Sequence, residues 1–459
     1  MYQDLSYMKI PLPEDIQKLK FYGDFAGAQK MIDHFMTKDI PEVLRKRLEI
    51  ETDVLKVIGG DQYPYTYEEA LKIMQKYLRD FKDEELQHLK EISAADWIYV
   101  DGKVHFHRRF HENLIKTRPD LAERVMVADF DDAQANDEKQ KLLNDNVRYM
   151  KENGGRTVRT QIRATIKAAK DFEEVGRKVR VHLPIPKICE QVTSVDILAS
   201  SPEIKYIAPE DAPQRTVYFE TELEEDQEFM VEYAYDYHVD YLELDPEKAA
   251  ACEQPTFCTE EQAPHIMFTP YLQEVLKEVV GDETNPVIKA RKIYDYVTSK
   301  IMYSYMREYF TIECIPEYAA INLKGDCGVQ ALLFITLCRM AGVPARWQSG
   351  LYATPYYTGC HDWAQFYVAP YGWVFADLSF GGSAYRMGNE ERRAYYFGNL
   401  DIFRMPANSE IQMEFQPEKK WLRIDPIDNQ RGEIEYEDHG LSFSQVEVTE
   451  TLISMEDIK

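Results

Sequence analysis

The chain has 459 residues, 44% of them hydrophobic, which suits two to four domains with ample core. Its 80 acidic and 54 basic residues leave a formal net charge of -26. That sign repels phosphate backbones and anionic bilayers, so neither nucleic acid nor a membrane is an expected partner.

Residues 1 to about 150 read as mainly helical. Pro13 to Lys38 sets Ile16, Leu19, Phe25, Ala28, Met31, Ile32 and Phe35 near a 3.6-residue period. Pro41 to Ile58 follows the pattern less completely, and Thr66 to Phe81 adds Ala70, Leu71, Met74 and Leu78. Trp97 to Val100 and Lys103 to Phe106 flank Asp101-Gly102, a dipeptide suited to a type I′ turn, and predict a hairpin. Asp131 to Asn153 reads as an acidic connector helix ending at Gly154-Gly155. From Arg156 the period becomes two: Val158, Ile162, Ala164 and Ile166 alternate with polar residues, as do Val179, Val181 and Leu183, then Phe229, Val231, Tyr233, Tyr235 and Tyr237. Half-buried strands at this spacing, with prolines at 202, 209 and 213, predict a small β-sandwich over 156–245. Glu243 to Pro264 has a linker's composition, and Tyr271 to Val280 and Asn285 to Ile301 read as helices.

Met1 to Pro11 lacks a basic start followed by an apolar run, and no apolar stretch approaches the roughly 20 residues of a membrane span. The expected compartment is the cytoplasm. The seven cysteines are odd in number and scattered, without a Cys-x-x-Cys, and read as reduced thiols. His105, His107 and His111 lie close together, but Arg108 and Arg109 sit among them and no cysteine is near. No metal and no cofactor is expected.

One stretch organises the rest. Lys324-Gly325-Asp326-Cys327-Gly328-Val329-Gln330 precedes the apolar run Ala331 to Cys338. Asp326 can cap a helix there, Gly325 and Gly328 permit close approach of the backbone, and Gly342-Val343-Pro344 stops the helix. A thiol at a helix N-terminus faces the positive end of the macrodipole, which favours the thiolate. The free N–H groups of the first turn can receive an oxyanion. Cys338, in an apolar interior, reads as a small hydrophobe. Downstream, Leu351 to Val368 and Trp373 to Asp377 read as strand, turn, strand. A hairpin pivoting on Ala369 sets His361 directly opposite Asp377, about 5 Å apart at Cβ. Cysteine, histidine and carboxylate in that order are a nucleophile, a base and an orienter.

Gly325-Asp326-Cys327, the helix to Arg339, Ala341-Gly342-Val343-Pro344-Ala345-Arg346, Gly350, His361 with Trp363, and Gly372-Trp373 before Asp377 resemble the core of the transglutaminase-like superfamily. The resemblance covers roughly residues 265–385 and implies a papain-like cysteine-enzyme core in a bacterial-type multidomain member. It implies Cys327 as nucleophile, His361 as general base and acid, and Asp377 as the orienting carboxylate. Trp363 and Trp373 look like hairpin packing residues, and Arg346 looks structural. In the family a side chain upstream of the cysteine often completes the oxyanion hole, and Tyr303 and Tyr305 stand at a suitable place. The sandwich resembles the accessory domain that commonly precedes this core.

The expected fold is therefore α+β. It comprises a helical N-terminal domain (1–155), a β-sandwich (156–245), a linker (246–264) and a transglutaminase-like domain (265–459) whose catalytic helix packs on an antiparallel sheet. The expected function is a cysteine-dependent amide hydrolase or acyl transferase acting on a peptide or protein through a thioester. The alternative is a non-catalytic protein-binding scaffold on the same core.

Overall fold

The first predicted helix breaks in two at Gly23-Asp24. In the computed structural model, which describes residues 5–60, 62–126, 133–421 and 423–458, Glu14–Tyr22 ends on Gly23 at φ 83°. Asp24 then caps Phe25–Met36 by accepting from the Gly27 amide. Glu42–Ile58 follows, and Tyr67–Tyr77 begins on a capping box of Thr66 and Glu69. The hairpin forms as expected, Asp101 and Gly102 taking φ of 49° and 70°, the positive pair a type I′ turn requires. The connector helix is Ala133–Asn153; its expected start at Asp131 lies outside the described residues.

Two four-stranded sheets make the sandwich. One orders Val446–Asp457, Gly155–Ala168, Phe229–Asp240 and Val192–Ser201; the other orders Glu433–Tyr436, Lys178–Pro184, Thr216–Glu222 and Tyr206–Ile207. Their inner faces bury Val158, Ile162, Val181, Phe219 and Tyr235. Each sheet thus takes a strand from the C-terminal end of the chain, so 156–245 does not hold the whole sandwich, nor does 265–459 belong wholly to the core. Pairing across such a sequence distance needs no local turn, so no turn residues announce it. Val192–Ser201 also escapes a period-two reading, because register shifts at Val192/Ser194 and Ile197/Ala199 break its alternation.

The third large sheet is antiparallel, in the order Phe397–Gly398, Gly372–Ala376, Tyr357–Val368, Ala345–Thr354, Arg404–Asn408. Cys327–Met340 lies on it, with Phe334 against Phe366 at 5.8 Å between ring centroids. This helix is buried continuously from Gly328 to Arg339, which is why its sequence is apolar all round rather than on one stripe. Pro286–Lys300 covers it with Val287, Ala290, Ile293, Tyr294 and Val297, the face predicted from sequence. Among the described residues no helix is long and apolar enough to cross a membrane.

The N-terminal helices grip the segment just before the cysteine. Asn113 donates to the Tyr305 carbonyl at 3.0 Å and accepts from the Tyr305 amide at 2.7 Å. Arg108 pairs with Glu308 at 3.0 Å, and buried Arg47 joins Glu51 at 2.7 Å and Glu313 at 3.1 Å. Residues 302–309 are thereby fixed as one wall of a cleft.

Candidate active site

Cys327 is the first residue of its helix, and Asp326 caps it by accepting from the Val329 amide at 3.3 Å. Tyr309 donates its hydroxyl to the same Asp326 oxygen at 2.5 Å. A Cβ on Gly328 would stand 2.4 Å from the Tyr309 hydroxyl and 2.6 Å from Asp362 Oδ2, so only glycine leaves room for these groups beside the cysteine.

His361 and Asp377 meet, by a different register from the expected one. Val368 pairs with Gly372 and Ala364 with Ala376, so the hairpin pivots on Pro370 and the ladder ends before Asp377. Extended by one residue, that ladder would set Asp377 across from Trp363, not His361. A two-residue offset leaves the face unchanged, because side chains alternate with period two. The Nε2 of His361 lies 2.7 Å from Asp377 Oδ2. Asp377 also caps the next helix, Leu378–Arg386, by accepting from the Phe380 amide at 2.9 Å. With Nε2 held by the carboxylate, Nδ1 is the ring nitrogen left for proton transfer.

A buried arginine completes this pair. Arg404 is fully buried and donates through Nη2 to Asp377 Oδ2 at 2.8 Å and to Asp401 Oδ2 at 2.9 Å. Burial pulls the Asp377 carboxyl up, but His361 and Arg404 outweigh it and hold it below the usual carboxylate value. Burial lowers His361 more than Asp377 raises it, so the imidazole stays neutral to a lower pH than a free histidine.

The thiol is not in the state its helix position led us to expect. Cys327 Sγ donates to Asp362 Oδ2 at 3.2 Å, not to the imidazole. Burial, then Asp362 and Asp326, push the thiol well above its ordinary range. A helix end is worth about 0.3–1 kcal/mol. Burial of the thiol, reinforced by any charge on Asp362 and Asp326, outweighs it. Asp362 is in turn held by Gln430, which donates to its Oδ1 at 2.6 Å and to the His361 carbonyl at 3.1 Å. Burial, with Asp428 and Asp326 close by, raises the Asp362 carboxyl well above the usual range.

Cys327, His361 and Asp362 open into a cleft of about 1250 Å³. Tyr303 and Tyr305 line it, their rings 5.6 Å apart. Lys116 Nζ lies 3.9 Å from the Tyr303 ring and Arg109 lies 3.2 Å from the Tyr305 ring. Tyr352 and Tyr357 line the cleft as well, whereas Tyr367 packs outside it on Phe257 and Trp373. Trp363 is buried and donates to Gln348 at 2.6 Å, and Arg346 lies 4.0 Å over Trp373, both hairpin packing.

Sequence reasoning missed Asp362, Arg404, Gln430 and Tyr309. Asp362 adjoins His361, and strict alternation would send it to the other face of the strand. Arg404 and Gln430 come from a C-terminal stretch with no periodicity or motif to mark them. The seven cysteines are free, and Cys360 accepts from Arg431 at 3.1 Å. His105 meets the Tyr63 carbonyl, His107 packs against the Tyr63 ring and His111 stacks on Tyr77.

No curated protein sequence matches the chain. Among solved structures, it is similar to a candidate cysteine protease from Cytophaga hutchinsonii, with 14% identity and a TM-score of 0.39, over 66% of this chain and 91% of that one. It is also similar to the periplasmic domain of TgpA from Pseudomonas aeruginosa, with 11% identity and a TM-score of 0.28, over 51% of this chain and 92% of that one. The same domain bound to ethylmercury matches with 11% identity and a TM-score of 0.27, over 55% of this chain and 97% of that one. Residues 273–378, which hold Cys327, His361 and Asp377, are a transglutaminase-like superfamily domain.

Proposed function

We propose that the protein is a cysteine-dependent amide hydrolase or acyl transferase of transglutaminase-like type that acts on a peptide or protein. The observation that carries this reading is the buried His361–Asp377 pair, 2.7 Å apart, whose histidine lines the same cleft as a cysteine at a helix N-terminus. His361 Nδ1 takes the proton from Cys327, and Sγ attacks the amide carbon. A C–S bond forms and the carbonyl electron pair moves to oxygen. Amides at the start of the helix, with Tyr303 or Tyr305 from the cleft wall, receive that charge. The imidazolium, steadied by Asp377, gives its proton to the amine nitrogen, the C–N bond breaks and a thioester remains. His361 then takes a proton from water, or from an amine, as that nucleophile attacks the thioester. The C–S bond breaks and the proton returns to sulfur. Water gives hydrolysis, which we favour; an amine gives a new amide. Seven free cysteines suit a reducing compartment, the cytoplasm.

The test is cleavage of a peptide library followed by mass spectrometry. Wild type is expected to cleave and Cys327→Ala to be inert with an unchanged circular dichroism spectrum. Cleavage that survives Cys327→Ala at full rate overturns the reading. A second reading, a protein-binding scaffold on this core, is favoured by one observation: the thiol donates to Asp362 rather than to His361. It predicts that no amide is cleaved although peptides bind in the cleft.

A further inference from the structure

Among the described residues, Arg392 is a buried cation without a carboxylate partner. It is 3% exposed, and its guanidinium donates to two neutral atoms, Asn144 Oδ1 at 3.2 Å and Met387 Sδ at 3.3 Å. Its neighbour Arg393 shows the usual solution, pairing with Asp295 at 3.0 Å and Glu390 at 3.3 Å. Burying a guanidinium with no counter-charge is costly, and burial pushes the Arg392 guanidinium down. Arg386, exposed in the same cleft, has no ion-pair partner among the described residues either. An anionic ligand supplies what both lack, in a planar geometry that guanidinium groups match.

The position of Arg386 relative to the chemistry is set by one helix, and Arg392 lies on the next, Glu390–Tyr395. Leu378–Arg386 starts at Asp377, and its Ser379, Ser383 and Arg386 all line the cleft. Spacings of four and three put these residues on one face. At 1.5 Å per residue, Arg386 lies about 10 Å beyond Ser379 along that face. An extended peptide covers about 3.3–3.6 Å per residue, so this span corresponds to about three residues. Phe380, at the start of the same helix, touches His361 at 4.9 Å between centroids, so that end of the helix adjoins the chemistry.

We infer that Arg386 and Arg392 form an anion subsite that receives a peptide carboxylate about three residues from the scissile amide. This rests on the amide-cleaving reading above. The chain's net charge of -26 repels acidic peptides at long range, so the subsite acts by contact within the cleft.

The experiment uses fluorescent decapeptides carrying one Glu or one Gln at each position in turn, each with a free or an amidated C-terminus. With wild type, kcat/KM for Glu over Gln is expected to be at least tenfold at one position about three residues from the cut; if the free C-terminus alone carries the preference, the carboxylate is terminal. Arg392→Gln and Arg386→Gln are expected to reduce that ratio below twofold, and Arg392→Lys to restore part of it. A wild type without a charge preference, or variants that keep it, overturns the subsite. Binding of the same peptides to Cys327→Ala separates the two proposals. If no peptide is cleaved but Glu peptides bind at least tenfold tighter than Gln peptides in an Arg392-dependent way, the subsite stands and the amide-cleaving reading fails.

Discussion

The thiol of Cys327 and the carboxylate of Asp362 lie 3.2 Å apart, and this contact sets the resting state of the site. Wherever Asp362 is ionised its charge disfavours the thiolate, on top of burial, so removing it exposes the thiol's reactivity. Asp362→Asn is expected to move the pH midpoint of iodoacetamide alkylation at Cys327 downward by about one unit, which is about tenfold in thiolate fraction below the midpoint. Mass spectrometry of the peptide containing Cys327 over a pH series measures it. An unmoved midpoint would show that Asp362 carries no charge there and that burial holds the thiol.

Arg404 stands between two buried carboxylates, Asp377 and Asp401. Arg404→Met keeps the bulk but leaves both acids without a cation. Removing one partner of a buried ionic network costs about 3–5 kcal/mol. Urea unfolding at pH 7 should show a loss of that order, and acidification should recover part of it as the orphaned carboxylates protonate.

Gly350 faces the strand that carries Arg404. A Cβ there would stand 1.8 Å from the Met405 carbonyl oxygen, a backbone atom that cannot swing aside. Gly350→Ala should therefore force Arg404–Asn408 outward. The expected cost is about 1–3 kcal/mol, with turnover falling further than stability because Arg404 moves with its strand. Thermal melts read the first effect and peptide cleavage the second. Full activity with an unchanged melt would contradict it.

His265 gives the fold a pH-dependent weakness away from the cleft. It is fully buried with neither ring nitrogen hydrogen-bonded among the described residues, and burial lowers its pKa to about 3. The unfolded chain takes up this proton below about 6.5, its ordinary value, while the folded chain does not until about 3. Its contribution is fully present above pH 6.5 and falls as pH drops through this window, by up to about 1.4 kcal/mol per unit. The stability gap between pH 7 and pH 5 should be smaller in His265→Leu than in wild type by about 2 kcal/mol. Equal gaps in urea unfolding would rule this histidine out as the cause.

Much of the fold was legible because its signals are local. The 3.6 period marked the covering helix Pro286–Lys300, Asp101-Gly102 marked a type I′ turn, and alternation marked Gly155–Ala168 and Phe229–Asp240. The hairpin arithmetic slipped by two residues yet kept His361 and Asp377 together, since an even slip preserves the face. The C-terminal strands Glu433–Tyr436 and Val446–Asp457 were misassigned because their partners lie far upstream.

The sequence by itself determined where a thiol begins a buried helix, with Asp326 as its cap, and which histidine and aspartate share a face. These follow from helix capping and strand alternation, which act within a few residues. Only the tertiary structure decided the charge around them: Asp362 against the sulfur, Arg404 beneath Asp377, Gln430 holding Asp362. Electrostatic energy depends on distance and burial, and these three groups become neighbours only when segments far apart in the chain pack together.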